Sequence, residues 1–167
     1  MMDNSTVMKI LKEEGGSEKK AAPEKKLSKY VIFAVGDTPF ALPADLVREI
    51  SFQNDLYYVP FLPPYVRGYA NRHGQPHTVL DLRMLFEKKP LDSSALLILN
   101  IENDQLALLI SDVDEIAKVP DDAIHGLAAK EEDAAYFAAS IGVKGREIFA
   151  LSVETLIKRL ERDVERI

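Results

Sequence analysis

The chain contains no cysteine among its 167 residues. A disulfide, a thiolate nucleophile and a thiolate metal site are therefore excluded, and the composition fits a reducing compartment. Long apolar runs are missing too. The strongest, such as Ala95 to Leu99, are strand-sized, far short of the roughly 20 residues that cross a bilayer as a helix. The opening Met1-Met2-Asp3-Asn4-Ser5 has neither the basic end nor the apolar stretch of a secretory leader. These absences point to a soluble, cytoplasmic protein.

Histidine is scarce, with only His73, His77 and His125. His73, His77 and Asp81 are spaced as metal ligands on a helix would be. Gly74 and Pro76 oppose a helix there. In an extended segment such residues lie about 13 Å apart, too far to share one zinc ion at bond lengths near ~2 Å. No metal site and no cofactor are expected. No nucleophile elbow, Walker loop or His-Glu-x-x-His pattern is present. The acidic runs Asp112-Val113-Asp114-Glu115 and Glu131-Glu132-Asp133 are solvated faces and turns, because nothing isolates one carboxyl in apolar surroundings. The expectation is a protein that catalyses nothing.

Charge is unevenly placed. Residues 1–29 hold seven lysines against five acids, a net of +2, so the remainder of a chain with net charge −6 carries −8. An acidic body opposes general phosphate-backbone binding. Residues 1–27 are read as a flexible tail, because Glu13 to Lys26 is rich in charge and small residues without apolar periodicity. Within that tail Val7, Met8 and Leu11 could share one face of a short helix. Two readings stand for it: a frayed end, or a peptide that folds on a partner.

From Ser28 the texture becomes β-rich. Tyr30 to Val35 and Pro39 to Leu42 flank the turn residues Gly36-Asp37. Leu96 to Ile101 and Leu106 to Ile110 flank the polar Glu102-Asn103-Asp104-Gln105. Phe137 to Val143 and Arg146 to Leu151 flank Lys144-Gly145. Short strands between turns predict a sandwich or small barrels. No Gly-rich phosphate loop follows a strand and no long helix alternates with them, which argues against a doubly wound sheet. Apolar residues make up 47% of the chain, enough for a real core. At the end Val153, Leu156, Ile157, Leu160, Val164 and Ile167 form one helical stripe that Ser152 is placed to cap.

Two segments invite binding. Tyr65 to Gly74 mixes aromatic and basic residues, a pattern suited to stacking on RNA or to anchoring a protein interface. Val47 to Ile50 alternates apolar and charged residues, so one of its faces must be exposed.

Several segments in order carry a resemblance. They are Phe33 to Gly36, Phe40 to Pro43, Val47-Arg48-Glu49-Ile50, Val59-Pro60, Pro63 to Gly68, Asn71-Arg72-His73-Gly74, Val79 to Arg83 and Phe86. Fainter echoes follow in Leu108 to Ile110, Val113 to Ile116, Tyr136 and residues 151–157. In this order the chain, over about residues 28–157, resembles the CheW family of bacterial chemotaxis coupling proteins. The resemblance implies a mainly β fold of two small SH3-like β-barrels around a shared apolar core. It implies a division near residues 90–95 and a C-terminal helix over about 152–166. It implies a non-enzymatic adaptor that bridges the cytoplasmic tips of chemoreceptors and the regulatory domain of a CheA-type histidine kinase. Such an adaptor is a monomer alone and a lattice member when assembled, recruited to membrane-associated arrays without inserting, and binds no nucleic acid.

Carried over by position, Val47, Glu49, Arg67 and His73 fall on partner-binding positions. Gly68 and Gly74 fall on turn glycines, and Asp81 caps the turn at Leu82-Arg83-Met84-Leu85. The family pattern has Leu-Arg where this chain has Arg72-His73, proline where it has Thr78, aspartate where it has Ser111 and glycine where it has Ala107. Arginine offers a permanent charge and a planar fork, whereas histidine titrates near neutrality. These departures mark a divergent member suited to a non-flagellar array.

Overall fold

Turn chemistry sets the local structure. The computed structural model describes residues 26–127 and 133–166. The three hairpins expected from the sequence are present. β1 (Leu27–Val35) turns at Gly36 into β2 (Thr38–Pro43). β6 (Ala95–Leu99) returns as β7 (Leu106–Ile110), and β10 (Phe137–Val143) as β11 (Arg146–Leu151). A fourth hairpin was not anticipated. β4 (Val66–Arg72) and β5 (Gln75–Leu80) pair across His73 and Gly74, whose φ values of 53° and 77° are those of a type I′ turn.

β3 (Val47–Ser51), β8 (Asp112–Pro120) and β9 (Ile124–Gly126) complete the strands. A short helix α1 (Leu82–Glu87) follows β5, and α2 (Val153–Glu165) closes the chain. Neither of these helices is long and apolar enough to cross a membrane, and the same holds for every helix among the described residues.

The strands form two sheets, ordered β8-β1-β2-β11-β10-β9 and β3-β6-β7-β5-β4. Strands from either side of residues 90–95 share each sheet. β6 and β7, after that point, complete the sheet of β3, β4 and β5. β1 and β2, from the start of the chain, complete the sheet of β8 to β11. The two halves therefore exchange their leading hairpins.

They also repeat one another. β4, β5 and the start of α1 recur at constant spacing as β10, β11 and the start of α2. The hairpin β4–β5 carries a register shift between Val66 and Gly68, and β10–β11 carries one at the matching place, between Phe137 and Ala139. Asp81 N–H donates to the Tyr65 carbonyl, and Ser152 N–H to the Tyr136 carbonyl, both at 2.7 Å. β2 runs parallel to β11 as β7 runs parallel to β5.

The exchange decides where the core lies. β6 and β7 are buried throughout, so their continuous apolar composition is that of strands covered on both faces. β1 alternates between two cores. Val31, Phe33 and Val35 join the main cluster shared by both sheets and both helices, while Tyr30 and Ile32 join a smaller cluster with Ala117, Val119, Ile141 and Ile148. Removing one hairpin would open both clusters.

Candidate interaction surface

Glu49 sits on β3 and Arg72 at the end of β4, the two edges of the five-stranded sheet. The Glu49 carboxylate accepts from the Arg72 guanidinium through one oxygen and lies 3.2 Å from His73 Nε2 through the other. The charge-assisted bond from Arg72 holds the Glu49 carboxyl below its ordinary range, with His73 adding to the effect. The contact rolls the sheet closed. Tyr57 extends the seam: its N–H and carbonyl both bond Tyr69 of β4, at 2.8 and 3.0 Å, and the two rings stack with centroids 5.2 Å apart.

The other half closes alike. Lys144, at the position in its turn that His73 holds, pairs at 2.8 Å with Glu115 of β8. Glu115 stands in Val113-Asp114-Glu115-Ile116 as Glu49 stands in Val47-Arg48-Glu49-Ile50. In each strand a register shift leaves the residue before the glutamate unpaired, a bulge that re-aims the neighbouring side chains. Glu49, Arg72 and His73 thus come together at one seam, beside Val47, which is half-buried against the main core.

Arg67 does not join them. Its Nη1 donates to the Asp81 carboxylate at 2.8 Å and to the Leu91 carbonyl at 3.0 Å. Asp81 is fully buried. One of its oxygens accepts from Met84 N–H, capping α1, and the other from Leu91 N–H as well as Arg67. Arg67 therefore anchors β4 to α1 and to the loop after it. Gly68 has φ +121°, and a Cβ there would lie 2.0 Å from the Tyr57 carbonyl oxygen. Only glycine lets the strand-closing segment approach. Gly74 needs its freedom for φ alone, since open space surrounds it.

The stretch Tyr65 to Gly74 is not a displayed stacking platform. Tyr65 and Ala70 are buried, Arg67 and Arg72 are neutralised within the chain, and Tyr69 stacks on Tyr57. His73, His77 and Asp81 have separate partners: Glu49, the Gln75 carbonyl and Arg67.

Two features escaped the sequence reading. Arg72 is the main partner of Glu49; alternation along a strand places it near the seam only once β4 is known to be an edge. The second feature is an exposed aromatic group, Phe52, Tyr57, Tyr58 and Phe61. Its signal was visible, because Phe52 to Tyr65 packs five aromatic residues and three prolines into one connection.

The chain is similar to known proteins over most of its length. It is 26% identical over 138 residues to the probable chemotaxis protein CheW of Rhizobium etli, covering 80% of this chain and 89% of that relative. In fold it matches the scaffolding protein TtCheW from Thermoanaerobacter tengcongensis with a TM-score of 0.70 at 20% identity, covering 77% of this chain and 90% of that one. The family model for the CheW-like domain matches residues 29–161. With that match, the paired sheets and the closing helix, the chain belongs to the CheW-like domain family.

Proposed function

We propose that this protein is a non-enzymatic scaffold of a bacterial chemosensory system, bridging the regulatory domain of a CheA-type histidine kinase and the cytoplasmic tips of chemoreceptors. The family match across both barrels carries this reading. It works by surface complementarity: each partner binds a rigid β face, and several modest contacts sum to a lattice when geometry lets them act together. The chain acts at the membrane only through those receptors.

The kinase-facing surface comprises Val47, Glu49 and His73, with Arg72 holding Glu49 in place. Arg67 serves it indirectly by fixing β4 to α1. Titration calorimetry of the full chain against a CheA-type regulatory domain tests this. Val47→Asp places a charge in an apolar contact and should weaken binding about tenfold or more, with an unchanged circular dichroism spectrum. His73→Arg should strengthen it, since a guanidinium adds a permanent charge and a fork. Equal affinity for all three proteins would remove this face from the kinase contact.

A further inference from the structure

A second surface, apart from the Glu49 seam, has unassigned chemistry. A cleft of about 550 Å³ lies between the proline-rich connection, the end of α1 and the last turns of α2. Phe61 and Met84 line it with Lys88, Arg159, Asp163 and Arg166.

Its charge runs against that of the protein. The chain carries −6 overall, yet among the described residues three cations meet a single carboxylate here. That carboxylate is already taken. Asp163 accepts from Arg159 at 2.5 Å and from the Tyr65 hydroxyl at 2.8 Å. Burial pushes the Asp163 carboxyl up, but these two bonds together with the charges of Arg159 and Arg162 hold the group below its ordinary range. Among the described residues Lys88 and Arg166 meet no carboxylate. Lys88 Nζ reaches only the Leu85 carbonyl at 3.3 Å, and Arg166 makes no ion pair among the described residues. Both are exposed.

Phe61 adds an independent observation. Its side chain is 85% exposed, and its backbone sits in the left-handed region with φ 65°. For a bulky residue that conformation costs ~1–2 kcal/mol, and burial of the ring returns little of it. Pro60, Pro63 and Pro64 restrict the loop around it. A rigid loop thus holds an aromatic ring in water beside two cations that have no carboxylate partner among the described residues, a combination typical of interface anchors.

We propose that this cleft captures an acidic segment of a partner polypeptide: Lys88 and Arg166 take its carboxylates, and Phe61 packs on an apolar side chain between them. A nucleic acid suits it less well, because two cations beside one exposed ring offer no track for an extended phosphate backbone with successive stacked bases.

The test uses the full chain and a fluorescein-labelled hexapeptide, with a Phe-Leu centre flanked by glutamate pairs, followed by fluorescence anisotropy. Saturable binding is expected, falling as salt rises from about 50 to about 300 mM. The double variant Lys88→Glu, Arg166→Glu should weaken it about tenfold or more. Phe61→Gly should weaken it similarly while holding or raising the thermal midpoint, because glycine relieves the strained φ. A ring serving only the fold would give the reverse: lost stability and unchanged binding. The proposal is overturned by absent saturation, by equal binding of a peptide with lysine for glutamate, or by a single-stranded RNA that binds more tightly.

Discussion

At the scale of single residues, Asp81 shows how much one buried carboxylate can organise. It accepts from Met84 N–H, Leu91 N–H and Arg67 without exposing any surface. Asp81→Ala should lower the unfolding free energy by ~3 kcal/mol or more, since it strands two buried N–H groups and a guanidinium; urea denaturation measures this. Two glycines should separate clearly in the same assay. Gly74→Ala, with open space around it, should cost about 1 kcal/mol from φ alone, whereas Gly68→Ala should cost several times more because the Cβ strikes backbone. Glu49 predicts a pH dependence. Its carboxyl is held low in the folded protein, so its contribution is present above the unfolded value near 4.5 and fades as pH falls through the depressed folded value. Glu49→Gln should be less stable than the parent by ~0.5–1 kcal/mol at neutral pH. The gap between their thermal midpoints should close in acid, and a gap constant with pH would contradict the pairing.

At the scale of elements, α2 holds on through one apolar stripe and one polar clasp. Val153 and Leu156 are buried, and Ser152 caps the first turn by accepting from Thr155 N–H. Leu156→Ala should cost ~2–5 kcal/mol, and Ser152→Ala about 1 kcal/mol. Calorimetric melting of both variants would rank them, and a costlier Ser152→Ala would show that the cap outweighs the packing. The clasp joins Tyr65, Asp163, Arg159 and Tyr136, so the two tyrosines that open β4 and β10 meet the same helix. The stripe and cap of α2 were legible in the sequence, because helical spacing and a Ser before an apolar run are local signals. The β4–β5 hairpin was not. Gly74 reads as a turn glycine, but His73 beside it reads as a partner-binding position, and Pro76 stands at the start of β5 before its pairing with β7 begins at Thr78, where a missing N–H is tolerated.

At the scale of the whole molecule, the exchanged hairpins make one folding unit from two halves. A fragment ending near residue 94 would contain β3, β4 and β5 without β6 and β7, which fill the middle of their sheet. Expressed alone, residues 26–94 should give the circular dichroism of an unfolded chain, and the intact protein should unfold in a single transition reported alike by backbone and tyrosine signals. A folded, cooperative fragment would show that the halves are separable.

The sequence alone determined the local inventory: short strands, three of the hairpins, the capped terminal helix and the family pattern. Turn preference, alternation and helical period act within a few residues, so each can be read along the chain. The tertiary structure decided which strands share a sheet, since β1 and β6 each open a hairpin with an apolar run and their partners are chosen by the shared core. It also decided what the polar residues do. Val47, Glu49, Arg67 and His73 look alike as candidates in one dimension. In three, Glu49 and His73 meet at a seam, Val47 lies beside them, and Arg67 is drawn inward, because a buried Asp81 requires a cation within hydrogen-bonding distance.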